Sequence, residues 1–277
     1  MGLLLIALTG DSVLSATGKA VQARLTNDVA NGAPVVIHVV VALCDNANQG
    51  IVPVTKELGD GQNPDTNLYW GALYGVRTHL AQAGGWSKLP ASEPKEEQIL
   101  DRAVFATQIA RGDRLATVYV VADAWDGAHI KAALATYLEM AAGNTQETVV
   151  VEAGQDQLKL NAAGMAHMVA FVGHNGLMDF SLAAPKRETP DSVPKSAVVL
   201  ACASKPYFET HLDALAVHSL LLTTGLMAPE AYTLNAAIRS WAAGGAASDV
   251  RQAAAESYDR YQKCGLNAAK RLFWSAE

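Results

Sequence analysis

A chain of 277 residues, 50% hydrophobic and 17% charged, holds enough apolar mass for a large buried core, which favours one sizeable α/β domain over two small ones. Its formal net charge of −6, with no basic block, argues against a nucleic-acid partner. Three widely spaced cysteines, Cys44, Cys202 and Cys264, fit neither a disulfide framework nor a C-x-x-C metal pair, so a thiol is left for chemistry.

In chain order, the opening MGLLLIALTG has the apolar character of an export signal. No Lys or Arg precedes it, and six consecutive apolar residues are too few to span a bilayer, so no membrane span is expected. A cytoplasmic location is the expectation, with export kept open for a truncated or atypical signal. The run 33–46, APVVIHVVVALCDN, is continuously apolar, as a strand covered on both faces requires. A helix is predicted over 66–84, capped by Thr66 and stopped at Gly85. ELGDGQNPDTN, 57–67, lacks the lysine and spacing of a phosphate loop and reads as a mobile cleft loop.

A second apolar strand spans 115–127 and a helix follows over 128–143, closed by Gly143. TVVVEAGQDQLKLN, 148–161, predicts a hairpin turning at Gly154 to Asp156. Further apolar strands are read at 168–176, 197–204 and 218–225, a helix at 228–245, and two closing helices from Ala247 onward, broken at Gly265. Alternation of helix and strand predicts a three-layer sandwich with a mainly parallel central sheet. The whole of 1–277 is read as one domain, with its core at about 33–240 and closing helices at 247–277. The connection 180–196 is short for a parallel crossover.

Two strand ends carry chemistry. MVAFVGHNG ends on His174 and SAVVLACAS on Cys202, at the carboxyl edge where ligands gather in open parallel sheets. If the two strands are neighbours, an imidazole faces a thiol, which it can deprotonate and whose leaving group it can protonate. The amides of Gly176 and Cys202 are candidate oxyanion donors. Taken singly, either residue is more readily a satisfied core group; their placement at successive strand ends favours the dyad.

GHNGLMDF and ACASKPYF resemble the His-Gly and Ala-Cys blocks of the caspase-like cysteine peptidases, the group of legumains, caspases, gingipains and metacaspases. LLLTTGLMAPEAY is similar to the legumain strand that walls the specificity pocket. The resemblance implies a caspase-like fold, Cys202 as nucleophile, His174 as general base and acid, no cofactor and no metal. Its substrate is a peptide or protein, and the oligomeric state is left open. The chain departs from the pattern in Asn175, placed between His and Gly, in a short His-to-Cys interval, and in Leu200, where an acidic residue is common.

By position, the resemblance nominates Asp45, Asn46, Thr223 and Thr224 for the substrate pocket, an acidic base there favouring Arg or Lys. Asp45 and Asn46 equally suit an Asx-turn leaving the strand. Asp123 and Asp126 either face the cleft or cap the next helix. Glu209 and His211 lack a second ligand pair for zinc. Tyr69, Trp70, Tyr74 and Trp125, without interleaved basic residues, read as core or cleft wall. A non-catalytic binding or scaffold protein using the same cleft is the alternative function.

Overall fold

The apolar run after Ala33 becomes the central strand of a large sheet because both of its faces are covered. In the computed structural model, which describes residues 15–154, 156–188 and 193–276, the chain begins with α1 (Ala16–Ala30). The opening MGLLLIALTG lies outside the described residues. After α1 come β1 (Val35–Ala42), α2 (Val76–Gln82), β2 (Ser87–Leu89), β3 (Ile99–Arg111), β4 (Arg114–Trp125) and α3 (Ile130–Ala142). The hairpin β5 (Gln146–Ala153) and β6 (Asp156–Ala163) follows, then β7 (Met168–Val172), β8 (Ser196–Leu200), α4 (Lys205–Ala214) and β9 (His218–Thr223). α5 (Ala231–Ala242), α6 (Ala247–Gln262), α7 (Leu266–Leu272) and β10 (Phe273–Trp274) complete the chain.

Eight strands are ordered β10-β9-β8-β7-β1-β4-β3-β2. The five from β9 to β4 are parallel, while β10, β3 and β2 pair antiparallel at the edges, so the sheet is mixed around a parallel centre. Alternate β1 residues go to opposite cores, Ile37, Val39 and Val41 to one and Val36, Val40 and Ala42 to the other. The first core is roofed by α1, α2, α5, α6 and α7, and the second by α3, α4 and the β5–β6 hairpin. Helices thus lie on both faces, as a three-layer sandwich requires.

The strands at 33–46, 115–127, 168–176, 197–204 and 218–225, the hairpin and the later helices lie where the sequence predicts them. The short edge strands β2 and β10 were not anticipated, and three further elements differ. α1 was not anticipated; Ser15 caps it, accepting from the Gly18 amide at 3.1 Å. β3 forms a hairpin with β4 through a two-residue turn at Gly112 and Asp113, where Gly112 takes φ 60°. The predicted helix over 66–84 shrinks to Val76–Gln82, because buried Asn67 clamps the end of β1 instead of joining a helix. Its side chain accepts from the Cys44 amide at 3.0 Å and donates to the Cys44 carbonyl at 2.8 Å. Thr66 does not cap; its hydroxyl donates to the Glu57 carbonyl at 2.8 Å.

The connection from β7 to β8 has no α-helix among its described residues. After a 3₁₀ turn at Gly176–Met178 it lays Phe180 and Leu182 against the α3 side of the sheet. No helix among the described residues is long and apolar enough to cross a membrane.

Two buried histidines make this fold acid-sensitive. His167 accepts from the Val36 amide at 3.1 Å through Nδ1 and pairs with Asp28 through Nε2 at 2.9 Å. Burial, aided by the Arg24 charge and opposed by Asp28, pushes its pKa down to about 4, and burial pushes His218 down to about 4 as well. Below pH 6.5 the unfolded chain binds protons that the folded chain refuses, so stability falls as pH drops from about 6.5 towards 4. The maximum slope is about 1.4 kcal/mol per pH unit for each histidine. Urea titrations at pH 7.5, 6 and 5 should show the loss, and His167→Gln should flatten it; a midpoint independent of pH would contradict this account.

Candidate active site

β7 and β8 pair in parallel with Val172 opposite Leu200, so His174 and Cys202 each stand two residues beyond the last pair, at matching points on one sheet rim. The Gly173 amide extends the ladder, donating to the Leu200 carbonyl at 3.2 Å. Gly173 adopts φ 153°, and a Cβ there would lie 2.9 Å from the Ala42 carbonyl oxygen, so only glycine lets the chain pass β1 so closely. The Asn175 side chain then donates to the Cys202 carbonyl at 2.8 Å, lashing the two strand ends together. Asn175, a departure from the motif, is thus a brace between the two.

His174 and Cys202 line one pocket of about 300 Å³. The imidazole is nearly buried and its Nε2 bonds Asp179 Oδ2 at 2.6 Å. A carboxylate only accepts, so Nε2 carries the hydrogen and Nδ1 holds the lone pair of the neutral ring. Asp179 also accepts from the Gly50 amide at 3.3 Å. Sequence reasoning missed Asp179. It is brought back to the histidine by the 3₁₀ turn, in which the Asp179 amide donates to the Gly176 carbonyl at 2.9 Å, and a carboxylate five residues after a histidine has no regular period to betray it.

Cys202 Sγ accepts from the Met227 amide at 3.3 Å and donates to the Met227 carbonyl at 3.4 Å. Among the described residues it has no hydrogen bond to His174. Ala203 turns the chain directly after the cysteine in a left-handed conformation, φ 45°, fixed by its amide bond to the Gly225 carbonyl at 2.8 Å.

Gly176 does not supply the expected oxyanion donor. Its amide already donates to the His174 carbonyl at 3.0 Å, and the residue is buried. The Cys202 amide has no hydrogen-bond partner among the described residues and is the donor that remains from that expected pair.

The four residues expected in the substrate pocket stand behind its walls. Asp45 forms the Asx-turn, its carboxylate accepting from the Ala47 and Asn48 amides at 2.9 and 3.1 Å and from the Asn48 and Gln62 side chains. Burial alone would raise its pKa; these bonds override burial and lower it. Asn46 exchanges two bonds with the Val54 backbone, at 2.9 and 3.0 Å, and so fixes a pocket wall from outside. Buried Thr223 bonds the Ala201 carbonyl and Ser204, holding the turn that carries Cys202. Thr224 donates to the Arg271 carbonyl at 2.6 Å, facing α7. The 57–67 segment folds under the end of β1, with Gly59 and Gly61 packed on the Asn46 and Asp45 side chains.

Of the other cysteines, Cys264 is exposed and Cys44 is buried at the pocket floor. Burial pushes the Cys44 thiol up to about 11, despite an opposing hydrogen bond with Tyr69. Cys44 shares the pocket with His174 and Cys202, and its burial and raised pKa set it apart from Cys202.

Asp126 caps the turn before α3, accepting from the Ala128 amide at 2.9 Å. Asp123 belongs to a buried charge network instead of the cleft. Arg102 donates to it at 2.6 and 2.7 Å and to Glu147 at 2.7 and 3.2 Å. His38, Asp123 and Glu147 hold ligand-type atoms within 4.8 Å of one another. The residues do not suit a cation: His38 Nδ1 accepts from the Ala163 amide at 3.0 Å, so Nε2 bears the hydrogen towards Asp123 and has no free lone pair, while the guanidinium already answers both carboxylates.

No family model, curated protein or solved structure matches this chain. Function therefore has to be argued from the site.

Proposed function

We propose that the protein is a caspase-like cysteine peptidase in which Cys202 is the nucleophile and His174 the proton carrier. The observation that supports the reading is the placement of thiol and imidazole at equivalent points beyond neighbouring parallel strands, on the wall of one pocket. In the reaction, Cys202 Sγ attacks the peptide carbonyl carbon and its proton passes to His174. The oxyanion is met by the Cys202 amide. Collapse breaks the C–N bond, His174 returns the proton to the departing amine, and a thioester remains. Water, deprotonated by His174, attacks that thioester, releasing the carboxylic acid and restoring the thiol.

Asp179 is a positioning residue in this scheme, since it acts through His174. Asp179→Asn is expected to lower kcat by about tenfold or more with little change in KM. A kcat within about twofold of the wild type would remove Asp179 from the mechanism.

One observation favours the second reading, a non-catalytic protein that holds a peptide in the same cleft: the thiol bonds Met227 and the Gly176 amide is already spent. Catalytic hydrogen bonds commonly tighten only with substrate in place, so the peptidase reading is preferred. Iodoacetamide at neutral pH separates the two. The peptidase reading expects Cys202 to be alkylated faster than exposed Cys264, with buried Cys44 slowest; a Cys202 slower than Cys264 supports binding alone.

A further inference from the structure

The pocket beside Cys202 has a largely apolar lining that includes Ile51, Val52, Val54, Met178, Leu226 and Met227. Besides His174, no ionisable side chain except the thiols and the phenol of Tyr69 lines it. Burial, with the nearby thiols, pushes the Tyr69 phenol far up, so this ring stays neutral. The carboxylates nearest in the chain are already occupied. Asp45 is occupied by its turn and Gln62, Asp179 answers His174 and Gly50, and Glu230, next to Pro229, accepts from the Tyr232 hydroxyl and the Gln262 side chain.

The rim is unusual for a protein surface. Val52 is 88% exposed, Leu226 78% and Met178 45%, so three of the seven large apolar side chains left exposed among the described residues ring this one opening. Clustered exposed apolar groups around a concave site indicate what the site covers. The stretch 226–229 that carries two of the wall residues also supplies the Met227 backbone groups bonded to Sγ, so the wall adjoins the sulfur that becomes bonded to the acyl group.

Resting on the peptidase reading, we infer that the pocket selects an aliphatic or thioether side chain, of the leucine or methionine class, on the acyl side of the scissile bond. A lysine, arginine or aspartate there would enter a site with no counter-ion and lose its hydration without compensation. About 300 Å³ is at the lower end of ligand-pocket sizes and suits one such side chain with its neighbouring backbone. The basic specificity that an acidic pocket base would confer is not expected here.

Two measurements test this. Fluorogenic acyl-peptides differing only in the residue before the aminocoumarin should show kcat/KM at least about tenfold higher for Leu and Met than for Arg, Lys, Asp or Asn. Leu226→Asp, a change at an exposed side chain, should narrow the Leu-to-Arg ratio by about tenfold. Binding of acetyl-peptides ending in the same residues to the Cys202→Ala protein, followed by calorimetry, supplies the second readout. Hydrolysis with Arg, Lys or Asp within about threefold of Leu overturns the inference and leaves the peptidase reading standing. No hydrolysis, but tighter binding of Leu and Met peptides, overturns the peptidase reading and keeps the apolar pocket. Neither hydrolysis nor preferential binding overturns both.

Discussion

Cys202→Ala should lower peptide turnover by about 10³-fold or more, because removing the attacking atom leaves only the transition-state contacts of the pocket and the oxyanion donor. The substitution deletes a half-buried sulfur whose bonds go to one backbone unit, Met227, so the fold has little reason to change. Cys202→Ser provides a second check, retaining a hydroxyl for both Met227 bonds while presenting a far weaker nucleophile at neutral pH. Cys44→Ala is the informative contrast. Its thiol is raised to about 11 by burial and is a poor nucleophile at neutral pH, so activity should persist if the protein stays folded. Turnover on the preferred peptide, with unfolding transitions recorded for each variant, decides the matter. Hydrolysis by the Cys202→Ala protein at more than a few per cent of the wild-type rate removes the thiol from the mechanism.

The second large effect belongs to stability. Arg102→Met should cost about 3–5 kcal/mol at pH 7, since it leaves Asp123 charged and buried without its cation. Side-chain exposure is 3% for Arg102 and 1% for Asp123, so water cannot replace the lost bonds. Burial alone would raise the Asp123 pKa; the bonds from Arg102 and His38 override it and hold that carboxyl below its ordinary value. A depressed folded-state pKa contributes stability above the unfolded value of about 3.8 and loses it as pH falls through the folded one. The Arg102→Met penalty should therefore shrink as the solution is acidified, because the abandoned carboxyl can then take up a proton. The double variant Arg102→Met/Asp123→Leu should recover much of the loss, since an apolar pair replaces a broken ionic one. Urea denaturation of the wild type and both variants at pH 7 and pH 5 measures all of this. A single-variant cost below about 1 kcal/mol would mean that the network is hydrated and weak.

The strands around the site were legible in the sequence because continuous apolar runs such as VVIHVVVAL and MVAFV have no other use than a sheet covered on both faces. The same reasoning named His174 and Cys202, since strand ends are visible as the points where apolar runs stop. β3 escaped because its pattern mixes Asp101, Arg102 and Gln108 into an edge-side strand, and the shortness of α2 escaped because Asn67 folds back on Cys44, a contact between residues 23 apart. The charges and amides around the site obey longer-range rules still. Whether Asp45 faces a substrate or its own turn, whether Gly176 has a free amide, and which carboxylate meets His174 depend on directions of bonds, which residue identity does not encode. Local hydrophobic periodicity thus determined the layers and the placing of His174 and Cys202 at neighbouring strand ends. Only tertiary structure could decide the partners, because hydrogen bonds are directional and short, and a shift of one residue in a turn reassigns them.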